Sequence, residues 1–174
     1  MSPPAAKSLS HCRSFSPLAD SDAQILILGS MPGQRSLSLQ QYYAHRQNQF
    51  WAIMGQIFDA GLDLDYSERV LKLQKSGVAV WDVLQSCVRP GSLDAAIALD
   101  SIVPNDFASF FKAHKNIQKI FFNGQTAAQF FAKWVCPQLS ADFKIDTKTL
   151  PSTSPAHASL SFEQKLKIWR REIL

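Results

Sequence analysis

The sequence lacks any long hydrophobic run. No apolar stretch approaches the roughly 20 residues that a helix needs to cross a bilayer, and the N-terminus, MSPPAAKSLSHCRSFSPL, has no apolar core of the kind that secretory signals carry. The 174 residues are 46% hydrophobic and 18% charged, which predicts a globular protein with no membrane association. Because the N-terminal residues are rich in serine and proline, we expect residues 1–15 to be loosely attached and residues 16–174 to form a single domain.

Cysteine is also scarce. Cys12, Cys87 and Cys136 lie far apart, and an odd number without metal-ligand spacing predicts no disulfide framework. We therefore expect a reducing compartment, the cytoplasm. The net charge of +4 is compatible with a polyanionic partner. The basic residues between positions 165 and 171 are interpreted as a solvated helix face.

The common catalytic and nucleotide-binding motifs are absent. Neither GxGxxG nor GxxxxGK[ST] occurs, so a nucleotide cofactor has no support, and GxSxG and HExxH are missing as well. The four histidines are scattered and do not form the group of three or four ligands that zinc requires. We expect a site without metal or cofactor, built from neutral polar groups, aromatic rings and one or two histidines.

Apolar segments and helical segments alternate along the chain. Residues 25–28, 78–81, 120–122 and roughly 143–150 are predicted strands. Apolar residues recur at helical spacing in residues 50–58, 67–75, 105–114, 125–134 and 161–173, with Ser67 and Ser161 as predicted N-caps. This alternation predicts an α/β domain with three αβα layers and a central, four-stranded, mostly parallel sheet.

Polar residues follow each predicted strand. They are the turn GSMPG at residues 29–33, then Asp82, then Asn123 with Gly124, and then PSTSPAH at residues 151–157. Because parallel strands end at the same edge of a sheet, we expect these clusters to converge into a ligand site. Residues 34–51 are polar and rich in aromatic rings, and they are predicted to be a long functional loop.

These residue types suit a flat ligand that forms hydrogen bonds. Tyr42 and Tyr43 can stack on a nucleobase, and Asn123 can pair with its edge through a donor and an acceptor. The hydroxyls and backbone groups of residues 152–154 can contact phosphates. The combination predicts recognition of a nucleobase extruded from a nucleic acid.

Five blocks occur in one order along the chain: GSMPG, SLSLQQYYAHRQNQFW, GVAVWDVLQSCVRPGSLDAAI, FFNG and LPSTSPAH. Together they resemble the uracil-DNA glycosylase superfamily, and most closely its hypoxanthine-DNA glycosylase branch, from residue 25 to the C-terminus. The resemblance implies a monomeric, metal-free, monofunctional glycosylase acting on DNA that contains a deaminated base. Two alternatives stay open: a glycosylase acting mainly on uracil or on several deaminated bases, and a catalytically silent DNA-binding module.

The resemblance also implies a catalytic residue. Met31 stands where related branches have an asparagine that positions water, and a thioether cannot do this. The resemblance moves that role to Asn48, in the Asn-x-Phe-Trp element. The alternative is that Asn48 only holds the loop through backbone hydrogen bonds.

The resemblance places further residues around the base. Ser30, Met31 and Gly33 are expected to form the pocket floor, and Tyr43 is expected to stack on the flipped base unless it merely packs in the core. Asn123 is expected to contact the base. The alternative is that it is only a turn residue with positive φ.

Other residues are expected to contact the DNA backbone. Ser36 matches a loop position near the backbone, and Ser152, Thr153, Ser154 and Pro155 match the motif that enters the minor groove and contacts phosphates. His157 either contacts phosphate or forms a local hydrogen bond. Asp82 is expected to position loops and not to act as a general base, and Trp51 and Trp81 are expected in the core.

Overall fold

The structure, a computed structural model, describes residues 10–174. Its strands are β1 (His11–Arg13), β2 (Ile25–Gly29), β3 (Val78–Asp82), β4 (Leu84–Val88), β5 (Ala98–Pro104), β6 (Lys119–Asn123) and β7 (Asp146–Leu150). Its α-helices are α1 (Gln34–Leu39), α2 (Phe50–Phe58), α3 (Tyr66–Lys75), α4 (Phe107–Ala113), α5 (Gln125–Phe130) and α6 (Phe162–Ile173).

The central sheet contains four parallel strands in the order β3-β2-β6-β7. Strand β2 lies inside the sheet, and its residues Leu26, Ile27 and Leu28 have no exposed surface. Because both faces of β2 are buried, its sequence is an uninterrupted apolar run. The predicted α/β fold with a four-stranded parallel sheet is confirmed.

The strand order also explains the layers and the place of the site. The chain moves from β2 to β3 in one direction across the sheet and from β6 to β7 in the other. Because such crossovers are right-handed, the helices between β2 and β3 cover one face and α4 and α5 cover the other. The C-terminal α6 returns to the first face. Accordingly, α2 packs with α3 and α6, while Phe107 of α4 contacts Phe131 just after α5. The direction changes between β2 and β6, where open α/β sheets bind ligands.

A second, antiparallel sheet was not predicted. It has the order β1-β4-β5, and Cys12 of β1 is buried opposite Cys87 of β4. Strand β1 has only three residues, β4 is interrupted by Gln85 and Ser86, and β5 is partly exposed, so they lack the apolar runs that mark the central strands. Residues 11–13 are therefore held by backbone pairing, unlike the loosely attached segment predicted for residues 1–15. Residues 1–9 lie outside the described part of the chain.

Several helix boundaries differ from the prediction. Helix α3 begins at Tyr66, because Asp65 precedes it and donates its N–H to the Glu68 carboxylate at 3.2 Å, so Ser67 is not the N-cap. Helix α4 is shorter than predicted and begins after Asp106, whose carboxylate accepts the Ser109 N–H. Helix α5 ends at Phe130 and continues as one π-helical turn. The predicted long loop at residues 34–51 contains α1. Helix α6 begins at the predicted N-cap, Ser161.

Buried tryptophans connect the core to the loops above the sheet. Trp51 and Trp81 are buried, as predicted. The Trp51 indole N–H donates to the Tyr42 carbonyl at 2.8 Å, and the Trp169 indole N–H donates to the Pro151 carbonyl at 2.9 Å. Two of the loops that follow central strands are thus held by the hydrophobic core. Within residues 10–174, no helix has the length and apolar character needed to span a membrane.

Candidate active site

A cavity of about 550 Å³ opens at the carboxyl edge of the central sheet. The loops after β2, β6 and β7 line it together with residues 92–95. Every residue predicted from the sequence to belong to the site lines this cavity: Ser30, Met31, Gly33, Ser36, Tyr43, Asn48, Asn123, Ser152, Thr153, Ser154, Pro155 and His157. The predicted convergence of the loops is confirmed, because the four parallel strands end side by side.

Asn48 joins two parts of the site through its side-chain oxygen. Its Oδ1 atom accepts the Phe50 N–H at 2.9 Å at the start of α2, and it also accepts the Thr153 hydroxyl at 2.8 Å. Because a backbone N–H can only donate, the amide orientation is defined. Both lone pairs of Oδ1 are used, whereas Nδ2 has no hydrogen-bond partner in the described structure. Asn48 therefore holds its loop and still offers a free donor.

Asn123 and Thr153 form a two-point hydrogen-bonded pair. Asn123 Nδ2 donates to Thr153 Oγ1 and Asn123 Oδ1 accepts the Thr153 N–H, both at 2.9 Å. The Thr153 carbonyl accepts the Gln49 N–H at 3.0 Å, and the whole residue has no exposed surface. Thr153 therefore connects loops inside the protein, which differs from the DNA contact predicted for it. The positive φ belongs to Gly124, at 99°, so Asn123 is not a positive-φ turn residue.

Tyr43 lies between the core and the cavity. Its ring stacks on the buried Phe50 with the centroids 4.0 Å apart, so one face packs against the core while the ring also lines the cavity. Its backbone has a φ of 53°, in the left-handed region. Tyr42, by contrast, is 2% exposed and donates its hydroxyl to the Ser16 carbonyl. Of the two tyrosines, Tyr43 is the one available for stacking on a ligand.

Arg89 supports the site from beneath, a role that the sequence did not suggest. It has no exposed surface, and its guanidinium donates to the carbonyls of Met31, Pro32 and Gly91. A buried arginine thus holds the turn after β2, which includes the buried Met31 of the cavity floor. The available signal was an arginine directly before a Pro-Gly turn, which alone does not distinguish an arginine that holds the turn from a surface residue.

Two carboxyl groups lie beside the cavity floor. Asp94 accepts the Ser30 hydroxyl at 2.8 Å, and Asp82 is 3% exposed. A Cβ atom at Gly29 would lie 2.7 Å from Asp82 Oδ1 and 3.0 Å from the Tyr43 hydroxyl, so glycine allows both groups to approach the end of β2. Asp82 Oδ2 and the Tyr43 hydroxyl are buried without hydrogen-bond partners in the described structure. Burial, helped by the charge of Asp94, raises the pKa of Asp82 to about 8.

The loop after β7 presents short polar side chains at the cavity mouth. Ser152 Oγ accepts the Ser154 N–H and Ser154 Oγ accepts the Ala156 N–H, each at 3.2 Å. Beneath the loop, Lys165 donates to the His157 carbonyl at 2.7 Å. Lys165 is 2% exposed and burial lowers its pKa, so the prediction that it lies on a solvated face is wrong.

Two predicted DNA-contact residues form local hydrogen bonds. His157 Nε2 lies 3.3 Å from Ser159 Oγ, which matches the predicted local alternative. Ser36 is 5% exposed and its hydroxyl accepts the Ala44 N–H at 3.0 Å. Both residues therefore help to shape the loops of the site.

The family model for the uracil DNA glycosylase superfamily matches residues 16–173. The chain belongs to this superfamily. The family predicted from the sequence is therefore confirmed.

Known relatives of this superfamily member align with most of its length. Two proteins named hypoxanthine DNA glycosylase, from Methanosarcina acetivorans and Methanosarcina barkeri, are each 33% identical to it. The alignments cover 86% and 82% of this chain and 90% and 86% of the relatives. A solution NMR structure of a candidate uracil DNA glycosylase from Methanosarcina acetivorans is similar, with a TM-score of 0.74 and 30% identity, over 93% of this chain and 98% of that one.

The donors of this superfamily member's site are chiefly neutral. Within residues 10–174, no three His, Cys, Asp or Glu side chains are grouped so as to hold a metal ion. The free Asn48 Nδ2 and the second N–H of Asn123 Nδ2 are amide donors. Such donors can orient water and bind the edge of a base without transferring a proton.

Asp82 is expected to make stability fall with rising pH. The folded protein keeps Asp82 protonated up to about pH 8, whereas the unfolded chain releases that proton near the ordinary pKa of 3.8. Unfolding between these pH values releases a proton, so the free energy of unfolding decreases as the pH rises from about 4 to about 8. Urea titrations at pH 5 and pH 8 measure this decrease. It should be smaller in Asp82→Asn than in the wild type, by on the order of a few kcal/mol.

The exposed Asp100 supplies the control, since Asp100→Asn should follow the wild-type pH profile. Parallel profiles for Asp82→Asn and the wild type would contradict the assignment of a protonated Asp82.

Proposed function

We propose that this protein is a monofunctional DNA glycosylase that removes hypoxanthine from deoxyinosine in DNA. One observation carries the proposal: the four strand ends assemble a single cavity that combines an aromatic ring, Tyr43, with two oriented amides, Asn48 and Asn123. The names and the 33% identity of the two relatives support hypoxanthine as the base.

Base recognition uses Tyr43 and Asn123. The extruded base stacks on the Tyr43 ring, which Phe50 supports from behind. Asn123 is held by Thr153 on both sides of its amide, yet Nδ2 keeps a second hydrogen and Oδ1 keeps a second lone pair. It therefore presents a donor and an acceptor to the edge of the base, in an orientation that Thr153 determines.

Bond cleavage uses the free donor of Asn48. The C1′–N9 bond breaks with its electron pair passing to the base, and hydrogen-bond donors such as Asn123 Nδ2 stabilise the departing anion. Positive charge develops on the sugar, where the phosphates of the bound DNA stabilise it. Asn48 Nδ2 donates to a water molecule, whose other lone pair forms the new bond to C1′. The water releases one proton and the base takes one up.

DNA is held at the mouth of the cavity. Ser152, Ser154 and Pro155 offer hydroxyls, backbone groups and a rigid surface to the strand, and Lys165 supports this loop from below. His157 and Ser36 contact the backbone within the same proposal, in addition to their local hydrogen bonds. The net charge of +4 favours association with the polyanion. The monomeric state and the cytoplasmic location stay predictions.

A cleavage assay tests the function directly. Duplexes containing one inosine, uracil or xanthine are incubated with the protein and then treated with hot alkali, which cuts the strand at abasic sites. We expect alkali-dependent cleavage that is fastest for inosine. Faster cleavage of uracil would favour the alternative glycosylase, and binding without an abasic product would show a catalytically silent DNA-binding module.

A further inference from the structure

The Asp82 carboxyl lies at the cavity floor, at the carboxyl end of β3. It is 3% exposed, and its Oδ2 atom is buried without a hydrogen-bond partner among the described residues. The neighbouring Gly29 has no Cβ atom to fill the space beside the carboxyl. Because a buried polar atom without a partner is costly to the fold, this oxygen indicates a group whose partner is a ligand in the cavity.

The groups around Asp82 favour its neutral form. The Asp94 carboxyl lies in the segment after β4, and the Tyr42 and Tyr43 hydroxyls, whose pKa values burial raises, carry no charge. The positively charged Arg89 also acts on Asp82, but its three hydrogen bonds go to backbone carbonyls. Burial, followed by the charge of Asp94, raises the pKa of Asp82 to about 8. At neutral pH, Asp82 is therefore a carboxylic acid with an O–H to donate.

Hydrolysis of a purine nucleotide requires a proton on the departing base. When water cleaves the C1′–N9 bond of deoxyinosine, hypoxanthine leaves with one more hydrogen than it carried in the nucleoside. Its N7 atom is an acceptor on the edge of the base, and N7 belongs to the same five-membered ring as N9. A proton that reaches N7 as the bond breaks neutralises the negative charge that develops in this ring.

We infer that Asp82 is the general acid of the reaction and donates its carboxyl proton to N7 of the extruded hypoxanthine. The inference rests on the proposed function, to which it adds a catalytic residue. The C1′–N9 electron pair passes into the purine ring while the Asp82 O–H bond breaks and the N7–H bond forms. The water that adds to C1′ releases one proton to solvent, and solvent returns one proton to Asp82 after the base leaves.

The pH dependence of cleavage tests this role. Single-turnover cleavage of an inosine-containing duplex by the wild type should fall by about tenfold per pH unit above about pH 8, where Asp82 loses its proton. Asp82→Asn keeps the size of the side chain but has no acidic proton. It should cleave about 100-fold or more slowly than the wild type at about pH 6, and its rate should not show this fall.

Two further variants serve as controls. Asp94→Asn keeps the acid at position 82 but removes a neighbouring charge that raises its pKa, so the fall should begin at a lower pH than in the wild type. The exposed Asp100 lies on β5, and Asp100→Asn should follow the wild-type profile. Binding to a duplex with a tetrahydrofuran abasic analogue, which has no base to protonate, should be the same for Asp82→Asn and the wild type.

Three results would overturn the inference while inosine cleavage by the wild type left the proposed function standing. The first is wild-type activity in Asp82→Asn at about pH 6, or the same fall in its rate above about pH 8, which would belong to the substrate or to another group. The second is an Asp94→Asn profile that falls at the same pH as the wild type. The third is loss of abasic-duplex binding by Asp82→Asn, which would assign Asp82 a structural role. Absence of wild-type cleavage at every pH would refute the proposed function and, with it, the acid.

Discussion

Replacing Asn48 with alanine is expected to slow release of hypoxanthine by well over about tenfold while the protein stays folded. The variant lacks Nδ2, the donor proposed to hold the attacking water, and it also lacks the Oδ1 acceptor of the Phe50 N–H and the Thr153 hydroxyl. Single-turnover cleavage of an inosine-containing duplex measures the first effect. Thermal unfolding measures the second, which should be a loss of about 1 to 2 kcal/mol.

The two roles of Asn48 are separated by Thr153→Val. This variant removes the hydroxyl that donates to Asn48 Oδ1 and accepts Asn123 Nδ2, but it leaves Asn48 Nδ2, the Phe50 contact and the Thr153 N–H bond to Asn123 Oδ1 in place. It should therefore retain more activity than Asn48→Ala. An equal loss of activity in both variants would assign the effect to the hydrogen bonds of the Thr153 hydroxyl and not to Asn48 Nδ2. Near-normal cleavage by Asn48→Ala would show that Asn48 only holds the loop.

Replacing Arg89 with alanine is expected to lower the free energy of unfolding by about 3 to 5 kcal/mol. The substitution leaves the carbonyls of Met31, Pro32 and Gly91 without their charged donor and opens a cavity in a region with no solvent access. It also removes a positive charge that lowers the pKa values of Asp82 and Asp94. Urea denaturation followed by tryptophan fluorescence measures the loss.

Arg13 supplies the matched control, because it is an exposed arginine on the neighbouring strand β1. Arg13→Ala should change stability by less than about 0.5 kcal/mol. Arg89→Lys should fall between the two, since an ammonium cannot donate to three separate carbonyls with the geometry of a guanidinium. A loss below about 1 kcal/mol for Arg89→Ala would contradict the role of Arg89 in holding the turn after β2.

The central sheet and the convergence of the polar loops at one edge were predictable for a simple reason. Buried parallel strands such as β2 are apolar on both faces, so they appear in the sequence as short uninterrupted runs. Parallel strands end at one edge, so the polar residues that follow them, including Ser30, Asn123 and Ser152, had to meet. Neither conclusion requires a side-chain contact to be known.

The second sheet and the buried charges could not be predicted in that way. Strand β4 is interrupted by the polar Gln85 and Ser86, and β5 is partly exposed, so their apolar pattern is weak. Backbone carbonyls accept the hydrogens of the buried Arg89 and Lys165, from the distant residues 31 and 32 for Arg89 and from the preceding loop for Lys165, and composition gives no sign of this. The same holds for Thr153, whose interior position reflects hydrogen bonds to Asn123 and Asn48.

The amino-acid pattern by itself determined the order of the central strands and helices, the edge at which the polar loops meet, and the family, since these depend on local periodicity and on short motifs. The tertiary structure alone decided which atoms of those motifs are free. Asn48 and Thr153 are 105 residues apart in the sequence. The Asn48 Oδ1 atom accepts both the Thr153 hydroxyl and the Phe50 N–H, so both of its lone pairs are used and only Nδ2 is available for a ligand. Hydrogen-bond saturation of this kind depends on which distant groups meet, and that is a property of the folded chain.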